Sequence, residues 1–328
     1  MELRTFVSAL AIISAAAAPA VAQQRDSASS ELVVRVLDVA QGDAIYIANG
    51  GSRVLVDGGP DPERLGQLLD SLGLNGTTID VVVLSHQHLD HLGGLRELFR
   101  SSRRIRVRFF FENQDPYSTA SLAELRDSIS SRVSHGELIY RDTDDPCGDG
   151  RPICTITLRG GARLHVMRPA RRPPSDANDR STPLKLVGPD SASFTMWLAG
   201  DAEHDAIRWF DTRANYDLRP GMRVNVLKAD HHGSCNGVTA RYLRLTNPDW
   251  VVVSLGAQND YGHMHTQAKT LYARARKPWY RTDQNGTITI RSPGTPGGGY
   301  SITPSRGGIS PSGPSDRRAT QAACNPMP

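Results

Sequence analysis

Four side chains that bind metal ions well lie within six residues of one another, in the stretch SHQHLDHLGG: His86, His88, Asp90 and His91. In extended backbone, residues 86, 88 and 90 point to the same side. A turn after Leu89 would direct Asp90 and His91 to a second point nearby. Two histidines and a separate Asp–His pair suit two metal ions better than one. Imidazole and carboxylate groups favour Zn²⁺, with Mn²⁺ or Fe²⁺ as alternatives.

The elements that must position these side chains are strands that end just before polar residues. The continuous apolar strand IDVVVLSH runs into the histidine cluster, and SFTMWLAGD ends in Asp201. VNVLKADHHGS ends in the pair His231 and His232, and DWVVVSLG precedes His263. Helices are predicted in ERLGQLLDSL, in LGGLRELF and in TASLAELRDSISSRVSHG. Strands with interleaved helices predict an α/β (α+β layered) fold in which several strand ends form one site.

Five further stretches follow a fixed order along the chain: VLDVAQGDA (36–44), VLVDGG (54–59), WLAGDAE (197–203), LKADHHGS (227–234) and SLGAQNDYGHMH (254–265). Together with SHQHLDHLGG, they resemble the metallo-β-lactamase superfamily, and within it the hydrolases related to ComEC-type competence proteins. Ala40 and Met264 stand where that family usually has glycine and proline. The resemblance spans roughly residues 32–303. It implies a four-layer αββα sandwich with the metals at one edge, between the two sheets.

The resemblance also implies a set of metal ligands, which on this chain are His86, His88, Asp90, His91, Asp201 and one of His231 and His232. The first two would hold one ion, and Asp201 would bridge both ions. We expect His232 to be the ligand and His231 to contact phosphate or water, although the sequence leaves their order open. Many superfamily members supply another histidine before the Gly-Asp strand. His165 lies in that interval, but it is interpreted as a core histidine of a strand.

Other residues of the matched stretches are candidates for substrate contact and support. Asp90, Lys228, His231 and His263 are the candidate catalytic residues, and Lys228 and Ser234 are the candidate substrate-binding residues. Lys228 and Ser234 could each donate to a phosphate or a developing oxyanion. The alternatives are a solvated lysine and a serine that caps a helix. Asp43 and Asp57 are expected to orient ligand histidines, with a structural role as the alternative.

Two metal ions can share a hydroxide and hold the oxygens of a substrate during an in-line displacement. This chemistry fits phosphodiester cleavage, and the resemblance to ComEC suggests nuclease action on nucleic acid. The alternatives are hydrolysis of another ester or a lactam, and a non-catalytic metal-binding module. The sequence therefore predicts a hydrolase with two divalent ions, Zn²⁺ first and Mn²⁺ as an alternative. No motif indicates a nucleotide cofactor or a membrane partner.

The first 22 residues, MELRTFVSALAIISAAAAPAVA, have the pattern of a secretory signal peptide, with a retained anchor as the alternative. We expect a secreted or periplasmic protein without a membrane span after cleavage, a hydrolase domain over residues 23–304, and a disordered Pro/Gly/Ser-rich tail over 305–328. In that compartment Cys147 and Cys154 are expected to form a disulfide. The sequence does not decide whether Cys235 and Cys324 pair.

The charge of the chain is mildly basic, with a formal net charge of +4 and a pI near 9.0. This balance permits binding to phosphates but does not demonstrate it. The nearest approach to a basic cluster is RSSRRIRVR, residues 100–108, which is predicted to be an edge strand with exposed arginines.

Overall fold

The computed structural model of the chain describes residues 30–170, 176–212 and 222–308. The predicted signal peptide, most of the predicted tail and Cys324 lie outside these residues, so those assignments remain predictions. Residues 305–308 are described, and there Arg306 donates to Asp38 at 2.8 Å. Across the described ranges, no helix has both the length and the apolar character that a membrane span requires.

Fifteen strands and seven α-helices make up the described part of the chain. The strands are β1 (Leu32–Val36), β2 (Ile45–Asn49), β3 (Ser52–Val56), β4 (Thr78–Val83), β5 (Arg106–Glu112), β6 (Ile139–Asp142), β7 (Ile153–Thr157), β8 (Arg163–Met167), β9 (Leu184–Val187), β10 (Thr195–Leu198), β11 (Val226–Lys228), β12 (Trp250–Val253), β13 (Trp279–Arg281), β14 (Ile288–Ser292) and β15 (Ser301–Pro304). The α-helices are α1 (Pro62–Ser71), α2 (Leu89–Leu92), α3 (Ala120–Ser134), α4 (His204–Thr212), α5 (Ala240–Thr246), α6 (Thr266–Arg274) and α7 (Thr282–Asn285).

The strands form two sheets. The first has eight strands in the order β15-β14-β1-β2-β3-β4-β5-β6, and the second has seven in the order β13-β12-β11-β10-β9-β8-β7. Each sheet contains a run of four parallel strands, β3 to β6 in the first and β10 to β13 in the second. The remaining pairs are antiparallel. Strand β1 lies between β2 and β14, so the first sheet joins early and late parts of the chain.

Three apolar clusters define the layers of the fold. One joins the facing sides of the two sheets and includes Val34, Val81, Leu164 and Met196. A second lies between the first sheet and its helices, and a third lies between the second sheet and its helices. Because each sheet is covered by helices on its outer face and by the other sheet on its inner face, the architecture is αββα. The predicted fold is confirmed.

The parallel runs determine where the chemistry lies. In parallel strands the carboxyl ends meet at one edge of the sheet, and side chains just beyond those ends lie close together. Asp57 follows β3, His86 follows β4, Asp201 follows β10 and His231 follows β11. The two sheets face each other, so these four strand ends supply one site from both sides.

Two local predictions differ from the structure. LGGLRELF forms a 3₁₀ helix, Gly93–Phe99, rather than an α-helix. A Cβ at Gly93 would lie 2.2 Å from the Pro60 carbonyl oxygen, and one at Gly94 would lie 2.0 Å from that of Gly58, so the glycines permit close packing of this turn. The prediction of an edge strand in residues 100–108 was wrong. Strand β5 pairs with β4, and from Phe109 onward it also pairs with β6.

Candidate metal centre

The histidine cluster lies on a turn between a buried strand and a short helix. After β4 the chain bends at His86 and Gln87, and the extended residue His88, with φ −72° and ψ 151°, precedes α2. His86 and His91 are fully buried, whereas His88 and Asp90 reach the surface. The change from strand to helix after His88 is the turn that the sequence predicted, and it places Asp90 and His91 apart from His86 and His88.

Four of the predicted ligands form one compact cluster: Asp90, His91, Asp201 and His232, each offering one ligand atom within 4.8 Å of the others. The Nε2 atom of His232 lies 3.2 Å from Oδ2 of Asp90 and 3.2 Å from Oδ2 of Asp201. The Nε2 atom of His91 lies 3.2 Å from Oδ1 of Asp201 and 3.3 Å from Nε2 of His232. Two imidazoles and two carboxylates thus converge on one point.

The remaining predicted pair lies beside this cluster. Nε2 of His86 is 3.1 Å from Nδ1 of His88 and 3.9 Å from Oδ2 of Asp201. Asp201 therefore lies between His91 and His232 on one side and the pair formed by His86 and His88 on the other. This is the position that a bridging carboxylate needs.

The donor set fits divalent metal ions. All six side chains offer imidazole nitrogen or carboxylate oxygen, which are the ligands that Zn²⁺ and Mn²⁺ accept. Oδ1 of Asp201 is buried and makes no well-aligned hydrogen bond among the described residues, although Nε2 of His91 lies 3.2 Å away. A buried carboxylate oxygen without a well-aligned donor is costly unless a cation or a proton meets it. The residues present can therefore hold the metal that the sequence predicts.

Two buried carboxylates hold the ligand histidines from behind. Oδ2 of Asp57 lies 2.8 Å from Nδ1 of His91, and Ser85 also donates to Asp57. Oδ1 of Asp43 lies 3.4 Å from Nδ1 of His232, whose Nδ1 also lies 2.8 Å from the carbonyl oxygen of Ser254. These contacts fix each ring with Nε2 toward the cluster, as expected for carboxylates that orient ligand histidines.

The electrostatics of the cluster are dominated by its carboxylates. Burial lowers the pKa of His91, but Asp201, Asp57 and Asp90 more than offset burial and raise it well above its usual value. Burial likewise lowers the pKa of His232, while Asp201 acts in the opposite direction, and the net result is a large increase. Both rings attract protons because the surrounding charge is negative, and a divalent cation would satisfy the same charge.

His231 and His232 differ in position although they are neighbours. Both adopt left-handed backbone conformations, with φ of 46° and 53°, which places their side chains in different directions. His232 is 1% exposed and belongs to the cluster. The Nε2 atom of His231 is 3.9 Å from Asp201 and faces the cavity. The geometry places His232 rather than His231 in the cluster, and its role as the ligand stays a prediction.

Glu203 and Asn236 are site residues that the sequence reasoning missed. Nδ1 of His231 lies 3.0 Å from Oε1 of Glu203 and 3.1 Å from Oδ1 of Asn236. Asn178 in turn donates to Glu203 at 2.8 Å. Glu203 closes the stretch WLAGDAE, two residues after Asp201, and that spacing was the only signal in the sequence.

His263 and Ser234 line the cavity, but Lys228 does not. Burial, together with His232 and His231, lowers the pKa of His263 to about 2, so its ring is neutral at physiological pH. Asn259 accepts from the backbone N–H of His263 and donates to its carbonyl oxygen, both at 2.7 Å. Lys228 is fully buried and pairs with Asp43 at 2.7 Å. Lys228 therefore contacts Asp43, the carboxylate that orients His232, and does not line the cavity.

The cavity above the cluster has a volume of about 880 Å³. Its lining includes Asp90, Asp201, His231, His232 and His263. Such a volume lies within the range of small-molecule sites, roughly 300–1,000 Å³.

The remaining candidate residues lie away from this cavity, with one exception. Cys147 and Cys154 form a disulfide with a Cα–Cα distance of 4.9 Å, in the loop between β6 and β7. His165 lies in strand β8, as predicted, but it is half-buried rather than a core residue, and its Nδ1 is 2.8 Å from the hydroxyl of Thr155. Cys235 lies beside the site and is disulfide-bonded, so it offers no thiol nucleophile.

Comparison with known proteins agrees with this architecture. The sequence model of the metallo-beta-lactamase superfamily matches residues 37–103. ComE operon protein 3 of Bacillus subtilis is 25% identical over 281 residues, which cover 80% of this chain and 33% of that protein. Competence protein ComA of Neisseria gonorrhoeae is 24% identical, covering 79% of this chain and 32% of that protein. The chain thus spans about a third of the length of these relatives.

Among solved structures, the metallo-beta-lactamase fold protein YhfI of Bacillus subtilis is 13% identical. The match covers 76% of this chain and 96% of that chain, with a TM-score of 0.47. The comparisons confirm the resemblance to the metallo-β-lactamase superfamily and to competence proteins. The chain therefore resembles the metallo-β-lactamase superfamily and has a candidate metal site, and metal-dependent hydrolysis is the activity typical of that superfamily.

Proposed function

We propose that this chain is an exported hydrolase that uses two divalent metal ions, Zn²⁺ first and Mn²⁺ as an alternative, to cleave phosphodiesters. The observation that carries the proposal is the position of Asp201. Its two oxygens lie 3.2 Å from His91 and from His232, and one of them lies 3.9 Å from His86. One carboxylate thus faces both groups of ligands, which is the arrangement that a pair of ions requires.

His86 and His88 would hold one ion, Asp90, His91 and His232 the other, and Asp201 both. Bound there, two ions would supply an activated water and neutralise charge on the phosphate oxygens. In the reaction one P–O bond breaks, and water gives OH to phosphorus and a proton to the leaving alkoxide.

Side chains of the cavity can donate that proton and contact the phosphate. Burial lowers the pKa of His231, but Asp201 and Glu203 outweigh it, and the net shift is upward. A protonated His231 facing the cavity can donate to the leaving oxygen. His263 is neutral, and its Nδ1 has no hydrogen-bond partner among the described residues, so it can contact a phosphoryl oxygen. Ser234 lies on the same wall of the cavity.

The pattern of residues 1–22 supports export. Nucleic acid is a polymer of phosphodiesters, so the same chemistry would cleave it. Hydrolysis of another ester or of a lactam would use the same centre. A non-catalytic metal-binding module would keep the ligands without turnover. These readings differ in substrate, so a substrate panel separates them.

The test combines metal analysis with that panel. Purified protein lacking residues 1–22 should contain about two divalent ions per chain. It should hydrolyse bis-p-nitrophenyl phosphate when supplied with Zn²⁺ or Mn²⁺, and leave a chromogenic cephalosporin intact. A metal-free protein, or turnover of the cephalosporin alone, would contradict the proposal. Metal binding without turnover of any substrate would favour the binding module.

A further inference from the structure

Three exposed hydrophobic side chains lie in the lining of the cavity above the candidate metal cluster. Five large hydrophobic side chains of the described residues are exposed, and three of them line this one cavity: Leu89, Tyr117 and Tyr261. Exposed apolar side chains scattered singly need no explanation, but a cluster at a cavity mouth is typical of a binding site. The two tyrosines come from opposite halves of the chain, one before α3 and one before α6.

Each tyrosine ring touches an imidazole of the site. The ring of Tyr117 meets that of His88 edge-on, with centroids 5.2 Å apart. The ring of Tyr261 stacks on His263, with centroids 5.5 Å apart and 24° between the planes. Tyr117 remains 38% exposed and Tyr261 63% exposed, so both keep aromatic surface free for a substrate.

The described lining of the cavity offers few positive charges to a polyanion. None of its described lining residues is lysine or arginine; amides and carboxylates such as Gln41, Asn236 and Asp260 take those places. Proteins that bind long nucleic acids neutralise several phosphates with lysine and arginine. Two metal ions would neutralise the scissile phosphate, but no lysine or arginine of the described lining meets a second one.

The arginine-rich stretch 100–108 does not change this picture. Arg106 pairs in register with Thr78 at the start of β4, whereas His86 follows the end of that strand. The exposed arginines therefore lie at the opposite end of the first sheet from the cavity. Lys228, which lies near the site, is buried against Asp43.

Resting on the proposed function, we propose that Tyr117 and Tyr261 bind the two organic groups that flank the scissile phosphate. The preferred substrate is a compact phosphodiester of two aromatic or heteroaromatic groups, no larger than a dinucleotide, rather than a long polynucleotide. Stacking on aromatic side chains recognises flat groups without requiring further charge. The cavity of about 880 Å³ accommodates a ligand of that size.

The experiment measures KM and kcat for three diesters. The substrates are bis-p-nitrophenyl phosphate, methyl p-nitrophenyl phosphate and a 20-residue oligothymidylate, and the enzyme is the full chain without residues 1–22. Tyr117→Ala and Tyr261→Ala should each raise KM for the diaryl ester about tenfold and leave kcat nearly unchanged. Tyr→Phe at either position should restore the wild-type KM. Ile139→Ala is the matched control, because Ile139 is exposed to 41% outside the cavity.

The methyl ester separates the two tyrosines, because it carries one aromatic group and should lose affinity in only one of the two variants. Hydrolysis of the diaryl ester should depend weakly on salt, since few protein cations release counterions. Preference for the oligothymidylate with a steep salt dependence would overturn the proposal. So would alanine variants that behave like Ile139→Ala.

Binding of diphenyl phosphate, measured calorimetrically on the same proteins, needs no turnover. If the wild type hydrolyses none of the diesters but binds diphenyl phosphate through the tyrosines, the proposed function fails and the aromatic site stands. If it hydrolyses them with no effect of either tyrosine, only the inference about substrate class fails. If the wild type neither binds diphenyl phosphate nor hydrolyses any of the diesters, both the proposed function and the inference about substrate class are refuted.

Discussion

The two halves of the metal centre are built in different ways. The half from the first sheet takes four candidate ligands from one turn, His86 to His91, with Asp57 behind His91. The half from the second sheet takes Asp201 and His232 from the ends of β10 and β11. The first half is local in sequence, whereas the second exists only once several strands have been assembled.

The halves are also connected unequally. Asp57 and His91 belong to the same sheet, so the first half supports itself. His232 relies on Asp43, which precedes β2 of the first sheet, and Ser254 of the second half donates to the carbonyl oxygen of Gly42 at 2.6 Å. The second half is therefore oriented by residues of the first.

Asp201→Asn should break the link between the halves and have the largest effect. The amide keeps the shape but cannot carry the charge that two ions require, so kcat/KM should fall by at least about 10³-fold. Steady-state rates with bis-p-nitrophenyl phosphate and the metal content per chain measure the effect. Asp205→Asn, at an exposed position on α4, is the control and should leave both values unchanged. Full activity of Asp201→Asn would contradict the assignment of this carboxylate.

Asp43→Asn should affect stability more than Asp57→Asn does, because Asp43 also neutralises the buried Lys228. Removing one member of a buried ion pair costs about 3–5 kcal/mol, since the other charge stays buried without its partner. Denaturant unfolding of the metal-free proteins measures the difference.

The variant that combines Asp43→Asn with Lys228→Met should recover much of the lost free energy of unfolding, because no buried charge is then left alone. Equal stability of Asp43→Asn and Asp57→Asn would mean that the buried pair does not distinguish the halves.

Glu203→Gln should have a smaller and more specific effect on the second half. The Nδ1 contact of His231 is weakened but Asn236 remains, so kcat should fall about tenfold while the bound metal stays constant. The alkaline limb of the pH–rate profile should move to lower pH, because the carboxylate that raises the pKa of His231 is gone. A loss of metal instead of kcat would show that His231 is a ligand.

The mildest perturbation is acidification of the metal-free protein, which protonates Asp43 between about pH 4 and pH 2. Burial raises the pKa of Asp43, but Lys228 and His232 more than offset it and lower the pKa from 3.8 to about 2. A carboxyl with a lowered pKa stabilises the folded state above its unfolded value, and that stability is lost as pH falls through the folded value. The melting temperature of the metal-free wild type should fall between pH 4 and pH 2, and the melting temperature of Asp43→Asn should fall less.

The sequence was sufficient for the first half and only partly for the second. Strand IDVVVLSH and the spacing of His86, His88, Asp90 and His91 predicted both the turn and the division into two groups of ligands. The layered fold followed from strands that alternate with helices and from the resemblance. These features depend on residues that are near one another in the chain.

What could not be predicted depends on contacts between distant residues. Lys228 was expected at the substrate, but its partner Asp43 lies 185 positions earlier and draws it into the interior. Glu203 was missed because its role appears only when the left-handed turn at His231 brings the imidazole to it. Tyr117 and Tyr261 lie in separate loops, and the sequence gave no reason to consider them together.

The pairing of β1 with both β2 and β14 has a consequence for how the chain matures. A chain synthesised from its N-terminus lacks β14, residues 288–292, until almost all of the domain has been made. Until then, one side of β1 is an open edge that can pair with other chains. The candidate metal centre likewise cannot form until Ser254 has been synthesised and donates to Gly42. Metal loading should therefore come at the end of biogenesis, after the whole domain is available to fold.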